Sequence, residues 1–195
     1  MTQSIIYNYS MFPAVFLDRD GVIIENRTDY IRDWSQVTIL PKAIDAIVTF
    51  RQKHLYRVVI VTNQSAIGRG LMSLKAAQDI NKRLVKIIEN NDAQIEGVYM
   101  CPHKPEDLCN CRKHQPGLFF QAAKELSVDL SQSWMVGDAW SDLLAGQAAG
   151  LRGVIMVKTG RGAEQLLQPQ PEILRDYHVY DDLSEALAAI PFQKW

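Results

Sequence analysis

Short apolar runs and amphipathic stretches alternate along this chain, and polar residues gather where the apolar runs stop. Residues 14–17 are uniformly apolar and end in Asp18. Residues 56–61 contain Val58, Val59, Ile60 and Val61 and end in Thr62-Asn63-Gln64-Ser65. Shorter runs follow at 95–100, 134–136 and 154–157. Unbroken apolar runs of this length are expected of strands covered on both faces. Between them the apolar residues recur near helical spacing. Residues 41–54 carry Ile44, Ile47 and Val48, and Pro41 suits a first helical turn. Ser73 suits the cap of a helix through Ile88 that carries Ile80, Leu84, Val85 and Ile87. Residues 117–126 and 141–149 read as helices, the second stopped by Gly150. A strand around Val179 and a helix over 184–189 close the pattern. Strands alternating with helices predict a parallel sheet with helices on both sides, a doubly wound, Rossmann-like α/β fold. The 195 residues suit one domain over 1–195. Two irregular stretches remain, 26–34 and 101–116, and long loops in compact domains are often functional.

Composition removes several function classes. The net charge is −1, which gives no basic footprint for nucleic acid. No apolar run approaches the roughly 20 residues that span a bilayer. Residues 1–13 lack the basic start and apolar stretch of a secretory signal. The expectation is a cytoplasmic protein, monomeric, with no nucleic-acid or membrane partner.

The chemistry-bearing residues share one predicted location. Asp18, Asp20, Thr62, Asn63 and Asp138 all follow the C-terminal ends of predicted strands, the edge where open α/β sheets bind ligands. Asp18 and Asp20 leave their strand two residues apart, on one side. Close carboxylates need a cation, a proton or donors, and Mg²⁺ is the hard ion that oxygen ligands select. Gly21 would let the backbone turn away. By itself Asp-x-Asp-Gly fits a solvated acidic turn equally well. Thr62 offers a hydroxyl for phosphate oxygens. Asp138 and Asp142, spaced i to i+4 at a strand-to-helix turn, supply two more carboxylates: Asp138 to complete a metal site, Asp142 to brace it or cap the helix. Arg112 and Lys113 add positive charge in a long loop, and the lysine could neutralise a transferring phosphoryl group. Alone, that pair reads more readily as solvated.

The three cysteines of the chain, Cys101, Cys109 and Cys111, fall within eleven residues together with His103. Three thiolates and an imidazole make a complete tetrahedral Zn²⁺ shell, and a filled shell is structural. A zinc there would pin residues 101–116 and so position Arg112 and Lys113. His54, Trp34, Trp134 and Trp140 read as packing residues, and Asp181-Asp182 as a solvated turn.

Taken in order, Asp18-x-Asp20-Gly-Val, Val61-Thr62-Asn63-Gln64, Lys113 and Gly137-Asp138-x-x-x-Asp142 resemble the four motifs of the haloacid-dehalogenase (HAD) phosphatases, from about residue 14 to 160. The resemblance implies that Asp18 is the nucleophile, that Asp20 is the general acid and then base, and that Thr62 and Lys113 hold the transferring phosphoryl. It implies Mg²⁺ on Asp18, Asp138 and the Asp20 backbone carbonyl. The cysteine loop is similar to that of the branch holding heptose bisphosphate phosphatases and histidinol-phosphate phosphatases. The segments 62–70 and 111–117 lean toward the former, which implies a sugar bisphosphate as the small phosphorylated substrate. Arg27, Thr28, Asp29, Tyr30, Asn63, Gln64, Ser65 and Arg112 are then the expected substrate-facing residues. The chain leaves room for no large cap domain. A phospho-accepting receiver is a rival doubly wound fold, but its phosphorylated Asp lies mid-chain and it carries no zinc loop. A zinc-stabilised binding module is the non-enzymatic rival.

Overall fold

The computed structural model describes residues 11–192. Residues 1–10, on which most of the reading of the N-terminus rests, lie outside the described residues. Six strands, β1 (Ala14–Leu17), β2 (Arg57–Asn63), β3 (Gly97–Cys101), β4 (Trp134–Gly137), β5 (Gly153–Val157) and β6 (His178–Tyr180), form one sheet in the order β3-β2-β1-β4-β5-β6. Every neighbouring pair is parallel. The helices are α1 (Ala43–Lys53), α2 (Ser65–Gly68), α3 (Leu74–Glu89), α4 (Gly117–Leu126), α5 (Trp140–Ala148), α6 (Gly162–Leu166) and α7 (Leu183–Ala189).

Alternate residues of β1 to β5 feed two separate cores, because side chains leave a strand on opposite faces. Val15, Leu17, Val58, Ile60, Val136 and Ile155 meet α1, α3 and α7 on one face. Ala14, Phe16, Val59, Val61, Met135 and Val154 meet α4 and α5 on the other. Burial on both faces is why the strands read as unbroken apolar runs rather than as alternating ones. The chain reverses its winding between β1 and β4, which lie side by side although about 120 residues separate them (Phe16 pairs with Met135). Ligands bind at that kind of switch point, outside the carboxyl ends of the strands.

Several boundaries differ from the sequence expectation. The helix expected from Pro41 begins at Ala43, because Lys42 takes a left-handed conformation (φ 61°) ahead of it. Ser73 caps α3 as expected, accepting from the Ala76 N–H at 3.1 Å. The single turns α2 and α6 are too short to leave a periodic signal. Asp182 does more than face solvent: it is the N-cap of α7, accepting from the Glu185 N–H at 3.0 Å. Trp134 and Trp140 are buried packing residues, Trp140 against Tyr177, and His54 stacks on Phe50. No large cap domain is inserted between the described strands, and no described helix is long and apolar enough to cross a membrane.

Candidate active site

Asp18 is held in the ladder by its N–H, which donates to the Val136 carbonyl at 3.0 Å. That bond fixes the first carboxylate beside the end of β4. Gly21 (φ +86°) then turns the chain so closely past Asp138 that a Cβ there would lie 2.0 Å from Asp138 Oδ2. Only glycine fits both the angle and the approach. Asp18, Asp138 and Asp142 are all buried, and their oxygens come within 4.8 Å of one another.

Lys113 enters this acidic cluster from the long loop and is itself buried. Its ammonium donates to Asp18 Oδ1 at 2.9 Å, Asp142 Oδ1 at 2.8 Å and the Val61 carbonyl at 2.8 Å, which uses all three of its protons. Burial alone would lower the Lys113 pKa, but Asp142 and Asp18 outweigh it and raise the pKa, so the charge is kept. Asp142 is pushed up to about 7, by burial first, against the pull of Lys113. It also caps α5, accepting from the Ala139 N–H at 3.1 Å. Asp142 therefore both braces the site and caps its helix. Burial, then the Asp18 charge, raises Asp138, although Arg161 donates to both of its oxygens.

This donor set suits a hard divalent cation. Three buried carboxylates outnumber the lysine and arginine that face them, and oxygen is the only donor type in the cluster. The Asp20 carboxylate is not part of it. It pairs with Arg19 (2.8 Å) and accepts from Gln64 Nε2 (2.8 Å).

Above the cluster opens a cleft of about 570 Å³. Asp18, Asp20, Arg27, Thr28, Tyr30, Asn63, Gln64, Ser65, Arg112 and Lys113 all line it. Asp29 does not: its carboxylate is exposed and pairs with Arg27 (3.1 Å) and Arg32 (3.6 Å). With Arg on both sides of the turn, the local ion pairs win over the cleft. Thr62 lies buried beneath the cleft, its hydroxyl oxygen accepting from Gln64 Nε2 at 2.9 Å. Asn63 lines the cleft, but its amide is engaged. It accepts from the Lys113 N–H at 3.1 Å and donates to the Lys113 carbonyl at 2.9 Å, clamping the loop from β2.

The cysteine loop closes as the spacing suggested. Cys101 Sγ lies 3.6 Å from Cys109 Sγ and 3.2 Å from Cys111 Sγ, and Cys109 lies 3.4 Å from Cys111. His103 Nδ1 stands 3.7 Å from Cys101 and 3.2 Å from Cys111. Ligands around one tetrahedral Zn²⁺ stand about 3.5–3.8 Å apart, from bond lengths of about 2.0–2.3 Å. The four side chains could therefore hold one ion. Burial, then the Cys111 thiol, raises the Cys101 thiol.

Arg19, Asn81 and Arg161 join the site without a motif of their own. Arg19 is fully buried and spans Asp20 and Asn81 Oδ1 (2.7 Å). Arg161 follows β5, and the strand-end rule that located the other groups would have found it.

A family model described as HAD-hydrolase-like matches residues 110–186. The chain is 36% identical to the D-glycero-beta-D-manno-heptose-1,7-bisphosphate 7-phosphatase of Pseudomonas aeruginosa, over 90% of this chain and 96% of that one. It is 32% identical to the enzyme of that name from Escherichia coli, over 93% and 96%. Among solved structures, the D,D-heptose 1,7-bisphosphate phosphatase of B. bronchiseptica, complexed with magnesium and phosphate, superposes with a TM-score of 0.83 at 31% identity, covering 91% of this chain and 97% of that one.

Proposed function

Because the chain belongs to the HAD-like phosphatases and is a phosphoric monoester hydrolase, we propose that it removes the 7-phosphate of D-glycero-D-manno-heptose 1,7-bisphosphate through an aspartyl-phosphate on Asp18. The observation that carries this reading is the buried Asp18–Lys113–Asp142 arrangement at the switch point of a chain similar to heptose 7-phosphatases over nearly its whole length.

A carboxylate oxygen of Asp18 attacks phosphorus, and the bond from phosphorus to the sugar oxygen breaks. Asp20, held by Arg19 and Gln64, gives its proton to the departing oxygen. Water then attacks the phosphoryl group, Asp20 takes back a proton, and the bond to Asp18 breaks. Lys113 stabilises the charge spread over the phosphoryl oxygens. Thr62 keeps its own O–H for one of those oxygens, since its oxygen already accepts from Gln64. Mg²⁺ held by Asp18, Asp138 and the Asp20 backbone carbonyl would cancel the repulsion between the Asp18 carboxylate and the phosphate dianion. Gln64, Ser65, Arg112 and the turn of Arg27, Thr28 and Tyr30 face the sugar and its second phosphate. Zn²⁺ on Cys101, His103, Cys109 and Cys111 is structural in this reading. The protein acts as a cytoplasmic monomer on a small metabolite.

Phosphate release from a panel of the heptose 1,7-bisphosphate anomers, histidinol phosphate and other sugar phosphates tests the reading. A strong preference for a heptose bisphosphate, present with Mg²⁺ and lost with EDTA, is the expected result. Preference for histidinol phosphate would overturn the substrate and leave the chemistry. Asn63→Ala is expected to lower turnover on the order of 10²-fold, since a misplacement of about 1 Å at a reacting group has that effect. The melting temperature should fall by several degrees, because two part-buried hydrogen bonds contribute about 0.5–1.5 kcal/mol each and about 1 kcal/mol moves a chain of this size by about 2–4 °C. A rise in KM with kcat unchanged would place Asn63 on the substrate instead.

A further inference from the structure

Arg161 reaches Asp138 in two different ways. Its backbone N–H donates to Asp138 Oδ2 at 2.9 Å, and its guanidinium donates to Oδ2 at 3.3 Å and to Oδ1 at 3.0 Å. The backbone half of this contact is fixed. Gly160 (φ +59°) packs so tightly that a Cβ would lie 2.3 Å from Asp138 Oδ2 and 2.4 Å from Gly21 Cα. Thr159 Oγ1 donates to the Gly21 carbonyl at 2.6 Å and ties the same turn to the first motif. The side-chain half is free to change. The Arg161 side chain is 48% exposed, whereas that of Asp138 is 0% exposed.

The guanidinium therefore holds the two carboxylate oxygens that a divalent cation on Asp138 would use. A cation and a guanidinium a few ångströms apart repel, and this repulsion is strong where water is excluded. Lys113 cannot yield, since it is buried and all three of its protons are engaged. Among the cleft arginines, Arg27 is paired with Asp29, and Arg112 donates to the His103 carbonyl at 3.3 Å. Both keep those partners when Asp138 binds an ion. Arg161 alone of the three loses its partner, and it does so at the mouth of a cleft that receives a phosphate.

We propose that Arg161 is a two-position residue: the counter-ion of Asp138 before a divalent cation binds, and a ligand to a phosphate oxygen of the substrate afterwards. The proposal rests on the reading of Asp18 and Asp138 as the Mg²⁺ site. It makes Mg²⁺ binding and phosphate binding cooperative, because the cation frees the group that the anion needs. Such coupling is reciprocal.

Isothermal titration of Mg²⁺, and then of inorganic phosphate with and without Mg²⁺, into the wild type and Arg161→Gln tests it. The variant is expected to bind Mg²⁺ on the order of threefold to tenfold more tightly, the size of one partly exposed charge-assisted contact. Phosphate should bind it more weakly by a similar factor when Mg²⁺ is present, and equally well when Mg²⁺ is absent. Arg161→Lys should recover part of the phosphate affinity in Mg²⁺. Unchanged or weaker Mg²⁺ binding by Arg161→Gln overturns the proposal, as does an equal loss of phosphate affinity with and without Mg²⁺. If Mg²⁺ binds neither protein, the cation site itself is wrong and the proposal falls with it.

Discussion

An Asp18→Asn protein is expected to lose at least about 10⁴-fold in phosphate release and to remain folded. An amide oxygen is a poor nucleophile toward phosphorus, and removing a nucleophile from a catalytic unit typically costs that much or more. The fold should tolerate the change because the geometry asks little of the charge. Asp18 Oδ1 accepts from the Arg19 N–H at 2.7 Å and from Lys113, and an Asn oxygen can accept both. Lys113 keeps Asp142 and the Val61 carbonyl as partners. Asp138, which Asp18 destabilises electrostatically, loses a repelling neighbour. The melting temperature should therefore stay within a few degrees of wild type. Brief exposure to substrate followed by acid quench and mass spectrometry should detect a phosphorylated wild-type chain and no such species for the variant. An Asp18→Asn protein with more than about a tenth of wild-type turnover would remove Asp18 as nucleophile.

The parts of this molecule visible in its sequence are those whose signal is local. The β1 strand over 14–17 and the α4 helix over 117–126 were delimited correctly because burial made one uniformly apolar and the other periodic. The active-site groups are scattered over about 120 positions, yet the strand-end rule collected Asp18, Asn63 and Asp138, since a parallel sheet brings all its carboxyl ends to one edge. The Cys/His cluster that could hold a zinc was visible because one short loop supplies all four side chains. What stayed hidden depends on partners distant in sequence or on backbone angle. Arg19 lies between two acids, and nothing nearby reveals that Asn81, 62 residues on, receives its guanidinium inside the core. Asn63 lines the cleft, but its amide clamp on Lys113 spans 50 residues and leaves no local signal. Asp29 was read toward the cleft with its neighbours, while the flanking arginines turn it outward. The start of α1 shifted because Lys42 adopts a positive φ that residue type does not announce.

Removal of the proposed zinc should cost both stability and turnover, through a single structural cause. Cys101 ends β3 in the core, and Cys111 immediately precedes Arg112 and Lys113. The loop between them lies flush on its neighbours: a Cβ on Gly117 would meet the Asn110 carbonyl at 2.2 Å, and one on Gly68 would meet the Pro102 carbonyl at 2.9 Å. Its own regular structure is one 3-10 turn at Pro105–Asp107, and Leu108 is exposed in a left-handed conformation. Such a segment has little apolar burial of its own, so the proposed metal would supply much of what holds it. Structural Zn²⁺ in small domains contributes about 10–16 kcal/mol of apparent binding energy. Even if a third of that reaches global stability, the melting temperature should fall on the order of 10 °C for a chain of this size. Lys113 retains its clamp from Asn63, so Arg112 should lose its position first. Substrate affinity should then fail before the chemistry does. The purified protein should carry one zinc per chain that survives the EDTA treatment that removes Mg²⁺, and a mercurial reagent should release it. Turnover lost in this way should return with reductant and Zn²⁺, and not with Mg²⁺ alone. A Cys111→Ser protein that keeps wild-type melting temperature and turnover, or a preparation without zinc, would show that the four ligands close the loop unaided. The positioning of Arg112 and Lys113 would then rest on Asn63 and the carboxylates.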